Sequence, residues 1–87
     1  MKRIWKFELQ VADRFGVEMP TGAKILSVGD QNGGPHLWAE VHPDNDRETR
    51  VFHCHGTGHD VPEDGRQYVG TAICHPFVWH YYERKAP

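Results

Sequence analysis

Apolar and polar residues alternate along several short stretches of the chain. Near its start, Trp5, Phe7, Leu9 and Val11 are separated by single polar residues, the period of two that is typical of a half-buried strand. Further runs with this alternation, or rich in β-branched and aromatic residues, cover residues 15–18, 24–30, 36–42, 48–56, 68–75 and 77–83. No window of eleven residues keeps a helical period, so the pattern predicts strands throughout.

Turn residues fall mostly between these runs. Asn32-Gly33 separates two apolar runs and predicts a hairpin with a type I′ turn, which requires positive φ at both central residues. His75-Pro76 predicts a second tight turn. With 87 residues, we expect one domain over residues 1–87, an all-β fold that forms a single small antiparallel β-sandwich or barrel of six to seven short strands.

The formal charge of −2 is unevenly distributed. Between Glu40 and Asp64 there are seven acidic and two basic residues, a net charge of −5. This segment predicts an acidic surface that meets a cationic partner. The alternative is that these residues belong to two solvated loops, which is the more common situation. A basic stripe is missing, which argues against direct nucleic-acid binding. The candidate partner-binding acids are Asp44, Asp46, Glu48, Asp60, Glu63 and Asp64.

The two cysteines, Cys54 and Cys74, lie twenty residues apart, a spacing that fits no zinc motif. The first residues contain no apolar run, and no stretch has the ~20 apolar residues of a membrane span. We therefore expect a cytosolic protein with reduced thiols, no signal peptide and no membrane contact.

The densest group of potential metal ligands is the segment from His53 to His59. On a strand, His53 and His55 point to the same side at roughly 6.5–7 Å, a spacing that suits one divalent metal. His59 in the following loop is the expected third ligand, with Asp60 as a fourth. The alternative is that the two strand histidines are ordinary exposed polar positions.

The segment Gly56-Thr57-Gly58-His59 permits a second interpretation. Two glycines leave backbone N–H groups available for an anion-binding nest, and Thr57 adds a hydroxyl donor. A nucleotide phosphate is the expected ligand. Since no predicted helix follows this G-x-G, a simple bend after the strand is the alternative.

The last predicted strand carries aromatic residues on both faces. Phe77, Trp79 and Tyr81 form one row, and Val78, His80 and Tyr82 the other. One row is expected in the core, and the other is a candidate contact surface, with Trp79 and Tyr82 as anchors. Two arrangements stay open: an edge strand that pairs with its copy in a homodimer, or a strand buried on both faces of a closed barrel.

Five motifs carry a resemblance to a known group of proteins. In chain order they are IWKF (residues 4–7), MPTGAKILSV (19–28), QNG (31–33), LWA (37–39) and GTGH (56–59). With these motifs the chain resembles a family of small uncharacterised proteins of bacteriophages and prophages, over nearly its whole length. The resemblance implies no catalytic residues. It implies a setting in which short accessory proteins act by stoichiometric binding, as inhibitors of CRISPR complexes or as proteins that sequester immune nucleotides.

The leading functional hypothesis is therefore a phage or mobile-element accessory protein that inhibits a host defence complex by occlusion, in the manner of an anti-CRISPR protein. The expected partner is a host protein or ribonucleoprotein complex in the cytoplasm of the bacterial host. We expect no enzymatic activity and no cofactor, because serine-nucleophile, P-loop and dinucleotide motifs are missing. The alternatives are a nucleotide-sequestering protein and a histidine metal-binding module.

Overall fold

The structure is a computed structural model that describes residues 1–84. Its secondary structure consists of antiparallel strands, and no helix occurs between residues 1 and 84. The strands are β1 (Arg3–Glu8), β2 (Phe15–Pro20), β3 (Lys24–Gln31), β4 (Gly34–Val41), β5 (Arg47–Gly56), β6 (Gln67–Cys74) and β7 (Phe77–Arg84). The predicted all-β class is confirmed, with seven strands. The predicted domain also includes residues 85–87, which lie outside the described residues.

The strands form two sheets. A three-stranded sheet has the order β1-β4-β3, and a four-stranded sheet has the order β2-β5-β7-β6. This arrangement is the sandwich, one of the two architectures expected from the sequence, rather than a single closed barrel.

The core lies between the two sheets, where alternating side chains of each strand meet. In the three-stranded sheet, Trp5 lies opposite Ala39 and Phe7 opposite Leu37. In the four-stranded sheet, Phe15 stacks on Phe52 with ring centroids 6.0 Å apart. The buried apolar side chains are Leu9, Phe15, Val17, Met19, Ala23, Leu37, Ala39, Val41, Phe52, Cys54, Ala72, Cys74 and Tyr81. Val11, predicted to share the buried row of β1, is exposed because β1 ends at Glu8.

Two tight turns have the predicted form. Asn32 and Gly33 have φ of 55° and 82°, the backbone of a type I′ turn, and they join β3 to β4. His75 and Pro76 join β6 to β7 through a cis peptide bond, with Cys74 and Phe77 paired across the turn. Both hairpins therefore follow from local sequence.

The two sheets approach most closely where β3 passes β6. A Cβ placed on Gly70 would lie 2.6 Å from the Cβ of Val28 and 3.3 Å from its backbone nitrogen. Only a residue without a side chain fits this contact. The pairing of β6 with β7 is also irregular between Tyr68 and Gly70, directly before this contact.

The last strand occupies a position that the sequence analysis did not predict. Strand β7 lies between β5 and β6 and is hydrogen-bonded on both sides. The expected edge position of this strand is therefore wrong, because β7 pairs with β5 from Trp79 to Arg84 and with β6 from Phe77 to Glu83, whereas the homodimer itself stays a prediction. The closed-barrel alternative is also wrong, since Val78, His80 and Tyr82 are only half-buried on the outer face.

Candidate functional site

The segment Gly56–His59 forms a tight turn at the end of β5. The backbone N–H of His59 donates to the carbonyl of Gly56 at 3.1 Å, and Gly58 has φ of 90°. Positive φ at the third residue is characteristic of a type II turn and explains the second glycine. The imidazole of His59 folds back over Gly56, so that a Cβ on Gly56 would lie 3.0 Å from its Cε1. The motif therefore forms a compact corner.

A chain of hydrogen bonds ties this turn to the outer face of the four-stranded sheet. Oγ1 of Thr57 and Nε2 of His80 share a hydrogen bond of 2.8 Å. Nδ1 of His80 and Oγ1 of Thr71 share another of 2.9 Å, and Thr71 in turn contacts the hydroxyl of Tyr68. The hydroxyl of Thr57, which the sequence suggested as a phosphate donor, is thus engaged by His80. The turn is held at a defined position relative to β6 and β7.

A surface cleft with a volume of about 430 Å³ lies between this turn and the start of β7. The rings of Phe77 and Trp79 stack along it, with centroids 5.4 Å apart and planes 21° from parallel. Phe77 is 56% exposed, whereas Trp79 also packs against the core. The lining residues are Gly56, Thr57, His59, Pro76, Phe77, Val78 and Trp79. The cleft therefore offers an aromatic wall opposite a polar turn.

The charges around the cleft are unfavourable for a phosphate. Its lining contains no lysine or arginine. Asp60, which follows the lining residue His59, is exposed and adds a negative charge. A phosphate here would depend on backbone donors alone, so the geometry favours a neutral or cationic group over an anion.

The predicted metal ligands do not form a metal site. Between residues 1 and 84, no three histidine, cysteine, aspartate or glutamate side chains are arranged to hold a metal ion. Nδ1 of His53 donates to the carbonyl of Asp13 at 2.8 Å, and Nε2 of His55 accepts from Nη1 of Arg66 at 3.1 Å. His59 turns instead toward Gly56. The hypothesis of a three-histidine site is wrong because each imidazole has a separate local role.

His53 is the one buried polar side chain of the described residues, with 5% exposure. The segment before β2 lies beside it, since the backbone N–H of Cys54 donates to the carbonyl of Ala12 at 3.2 Å. Because the carbonyl of Asp13 can only accept, Nδ1 carries the proton. Nε2 is buried without a partner among the described residues. His53 is thus a buried structural side chain rather than the exposed position that strand alternation indicates.

His55 is influenced by its arginine neighbour. Burial lowers the pKa of His55, and the positive charge of Arg66 lowers it further. Arg66 itself forms an ion pair with Asp64 at 2.7 Å, and its hydrogen bonds hold the pKa of Asp64 well below the usual range. The loop after β5 is therefore anchored on the outer face of the sheet by an Asp64–Arg66–His55 cluster.

The predicted acidic surface is divided. Asp44 and Asp46 precede β5, whereas Asp60 follows it, and ten extended residues span about 30 Å. Two of the candidate acids have partners of their own: Glu48 accepts from the backbone N–H of Gly22 at 3.2 Å, and Asp64 pairs with Arg66. Asp60 and Glu63 lie in the loop that follows the cleft-lining residue His59, and both are exposed.

The two predicted aromatic anchors lie on opposite faces of the four-stranded sheet. Trp79 faces the cleft, whereas Tyr82 lies on the outer face between His55 and Tyr68, with ring centroids 5.6 Å and 5.5 Å away. Phe77 was missed as a site residue. The sequence feature that could have identified Phe77 is its position, two residues before Trp79 and directly after the His75-Pro76 turn. This spacing places both rings on one face at the start of β7.

The two thiols are buried and free. Burial raises the pKa of both Cys54 and Cys74, the opposite of what an activated nucleophile requires.

From residue 1 to residue 84 there is no helix with the length and apolar character needed to cross a bilayer.

Comparison with known proteins gives one match. No curated protein and no solved structure matches the chain. A family model, described as a domain of unknown function (DUF7352), matches residues 1–87. This match covers every strand of the sandwich and all the residues that line the cleft. The chain therefore belongs to the DUF7352 family.

Proposed function

We propose that this chain is a binding protein of a phage or other mobile element that inhibits a host defence complex by stoichiometric contact in the bacterial cytoplasm. The setting rests on the resemblance carried by the five sequence motifs. The observation that supports binding is the cleft in which the stacked rings of Phe77 and Trp79 face the Gly56–His59 turn.

Exposed apolar side chains at the β6–β7 turn end of the sandwich support a protein partner. Phe77 is 56% exposed and Ile73 is 57% exposed, and both lie beside the β6–β7 turn. Ile73 pairs with Val78, whose side chain is half-buried on the outer face. Aromatic residues in such positions are common anchors at the centre of protein interfaces. This end of the sandwich is therefore the proposed contact surface.

Charge supports the type of partner. Asp60 and Glu63 are exposed in the loop beside the cleft, and Asp44 and Asp46 are exposed before β5. Acidic side chains attract the basic surface with which a defence ribonucleoprotein holds nucleic acid, and they repel nucleic acid itself. We expect the protein to occlude such a surface without binding the nucleic acid directly.

The test is a titration of purified CRISPR effector complexes from the bacterial host, with affinity and target cleavage measured together. Phe77→Ser is compared with Ile4→Ser, since Ile4 is 63% exposed on the other sheet. Loss of an interface anchor is expected to weaken binding by about 30-fold, corresponding to about 2 kcal/mol. The Ile4 variant should bind like the unmodified protein. Equal effects of the two variants, or no binding to any effector, would contradict the proposal.

A second candidate function is sequestration of a small molecule in the cleft. Its volume of about 430 Å³ lies within the range of ligand pockets. The ring of Phe77 offers a surface on which a nucleobase stacks, whereas the lining offers no basic side chain for phosphates. Thermal unfolding with adenosine, AMP and ATP tests this candidate. Similar increases of the unfolding temperature with adenosine, AMP and ATP would support binding through the base. If none of the three compounds changes the unfolding temperature, this candidate is excluded.

A further inference from the structure

The exposed ring of Phe77 is the accessible part of the aromatic wall. Because Phe77 and Trp79 stack on each other, each ring covers one face of the other. The 56% exposure of Phe77 means that much of its remaining surface faces solvent. The face of an aromatic ring carries negative charge density and attracts a cation within about 6 Å of the ring centre.

The charged residues around the cleft also favour a cation over an anion. Lysine and arginine are missing from the cleft lining, and the loop that follows the lining residue His59 carries the exposed acids Asp60 and Glu63. Arg66, the basic residue of that loop, is already paired with Asp64, and its side chain is only 9% exposed. A cation entering the cleft therefore meets ring faces and no competing lysine or arginine, and the exposed Asp60 directly follows the lining residue His59.

The molecule contains an internal example of this contact. The guanidinium carbon of Arg47 lies 5.5 Å from the ring centre of Trp5. Arginine is favoured over lysine in such contacts because its guanidinium group is planar and more weakly hydrated, so that it stacks on a ring while its edge donates hydrogen bonds.

From these observations we infer that the cleft binds an arginine side chain presented by a basic segment of the partner protein. The guanidinium group stacks on Phe77, and Asp60 supplies the nearby negative charge. This inference rests on the proposed function, in which the partner is a protein, and it specifies the group that the partner inserts.

The inference is tested by NMR titration of the ¹⁵N-labelled protein with four capped tripeptides, Gly-Xaa-Gly, in which Xaa is arginine, lysine, norleucine or glutamate. The arginine peptide should shift the backbone signals of Thr57 and Gly58 and the indole signal of Trp79 in a saturable way. Lysine should bind more weakly, and norleucine and glutamate should cause no saturable shift. Added salt should weaken the arginine interaction.

Two matched variants locate the interaction. Asp60→Asn should weaken arginine binding about two- to fivefold, as expected for the loss of an exposed ion pair. Glu18→Gln removes the same charge from an exposed position on β2 and should leave the affinity unchanged. Norleucine binding as tightly as arginine, or equal effects of the two variants, would overturn the inference.

The outcome is separable from that of the proposed function. If arginine does not bind but Phe77→Ser still abolishes contact with the effector complex, the inference fails and the proposed function stands. If arginine binds in the cleft but no effector complex binds the protein, the inferred specificity of the cleft for arginine stands and the proposed partner is wrong.

Discussion

Arg50 on β5 and Glu83 on β7 form an ion pair on the inner face of the four-stranded sheet, with Nη2 to Oε1 at 2.8 Å and a second hydrogen bond from Nε to Oε2. Nη1 of Arg50 also donates to the carbonyl of Ala23 in the turn between β2 and β3. The hydrogen bond and charge of Glu83 raise the pKa of Arg50. One guanidinium group therefore links the two sheets at the end of the sandwich away from the cleft.

Removal of Glu83 is expected to destabilise the fold. Both side chains of the pair are less than one-fifth exposed, so Glu83→Ala leaves a largely buried guanidinium without its carboxylate. We expect the free energy of unfolding to fall by about 2 kcal/mol. Urea denaturation measures it, with Glu40→Ala as the control. The Lys2–Glu40 pair is 59% and 32% exposed, so its loss should cost less than about 1 kcal/mol. Similar losses in both variants would contradict this prediction.

The contact between Gly70 and Val28 predicts an unequal response to glycine substitution. Gly70→Ala forces a methyl group against the Cβ and backbone of Val28, and we expect a loss of about 1–3 kcal/mol in the free energy of unfolding. Gly16→Ala is the matched control, because the close contact of its new Cβ, at 2.7 Å, would be with the Cγ2 methyl of the exposed residue Thr49, a side chain that can rotate away, while the backbone oxygen of Arg50 lies at 4.0 Å. Thermal unfolding of both variants should show the larger decrease for Gly70→Ala, and the reverse order would disprove the explanation.

Tyr81 predicts a loss of stability in alkali. Burial raises its pKa above the ordinary value of 10, and its hydroxyl donates to the carbonyl of Gln10 at 2.9 Å. The folded state therefore keeps a proton that the unfolded state releases, so the stabilisation is complete below pH 10 and decreases as the pH rises further. Cys54 acts in the same direction above about pH 9.

The variant Tyr81→Phe isolates this effect. At neutral pH it should lower the free energy of unfolding by about 1 kcal/mol through the lost hydrogen bond. Between pH 9.5 and 11 its stability should fall less steeply than that of the unmodified protein, as measured by urea unfolding. Tyr82→Phe, on the half-buried outer face, is the control and should retain the steep decline. Parallel pH profiles for all three proteins would refute the assignment.

The contact between His55 and Arg66 predicts a shift that NMR can measure directly. Arg66→Gln removes a positive charge from the imidazole, so the pKa of His55 should rise toward its ordinary value. Because the pKa of His55 is lowered in the folded state, its contribution to stability is present above about pH 6.5 and is lost as the pH falls through the folded-state pKa. The loss of stability at acidic pH should therefore be smaller in the Arg66→Gln variant than in the unmodified protein. Arg3→Gln on the other sheet should leave the titration of His55 unchanged.

Local patterns in the sequence predicted most of the fold. The alternation of Trp5 and Phe7 with polar neighbours, and the Asn32-Gly33 turn, depend only on residues close in the chain. Strand order could not be predicted in this way. The interior position of β7 depends on its pairing with β5 and β6, and no local signal distinguishes an interior aromatic strand from an edge strand.

The site was predicted in part. The Gly56–His59 turn and Trp79 were identified separately, but their meeting at one cleft depends on the pairing of Gly56 with Trp79 across two strands. The histidines were misread because alternation places His53 outside the core. His53 is buried because the segment before β2 lies beside it, where Nδ1 donates to the carbonyl of Asp13, forty residues earlier in the chain. The alternation of residues within β5 carries no information about this contact.

Several residues that shape the cleft contribute little to the core. His59, Pro76 and Phe77 are exposed and lie in or beside reverse turns. Ala72 in β6 and Tyr81 in β7, which are farther from the β6–β7 turn, are fully buried. Substitutions at these peripheral positions can therefore change the shape and polarity of the cleft at little cost to the packing between the sheets. The chemistry of this end of the molecule and the stability of the fold thus depend on largely separate sets of residues.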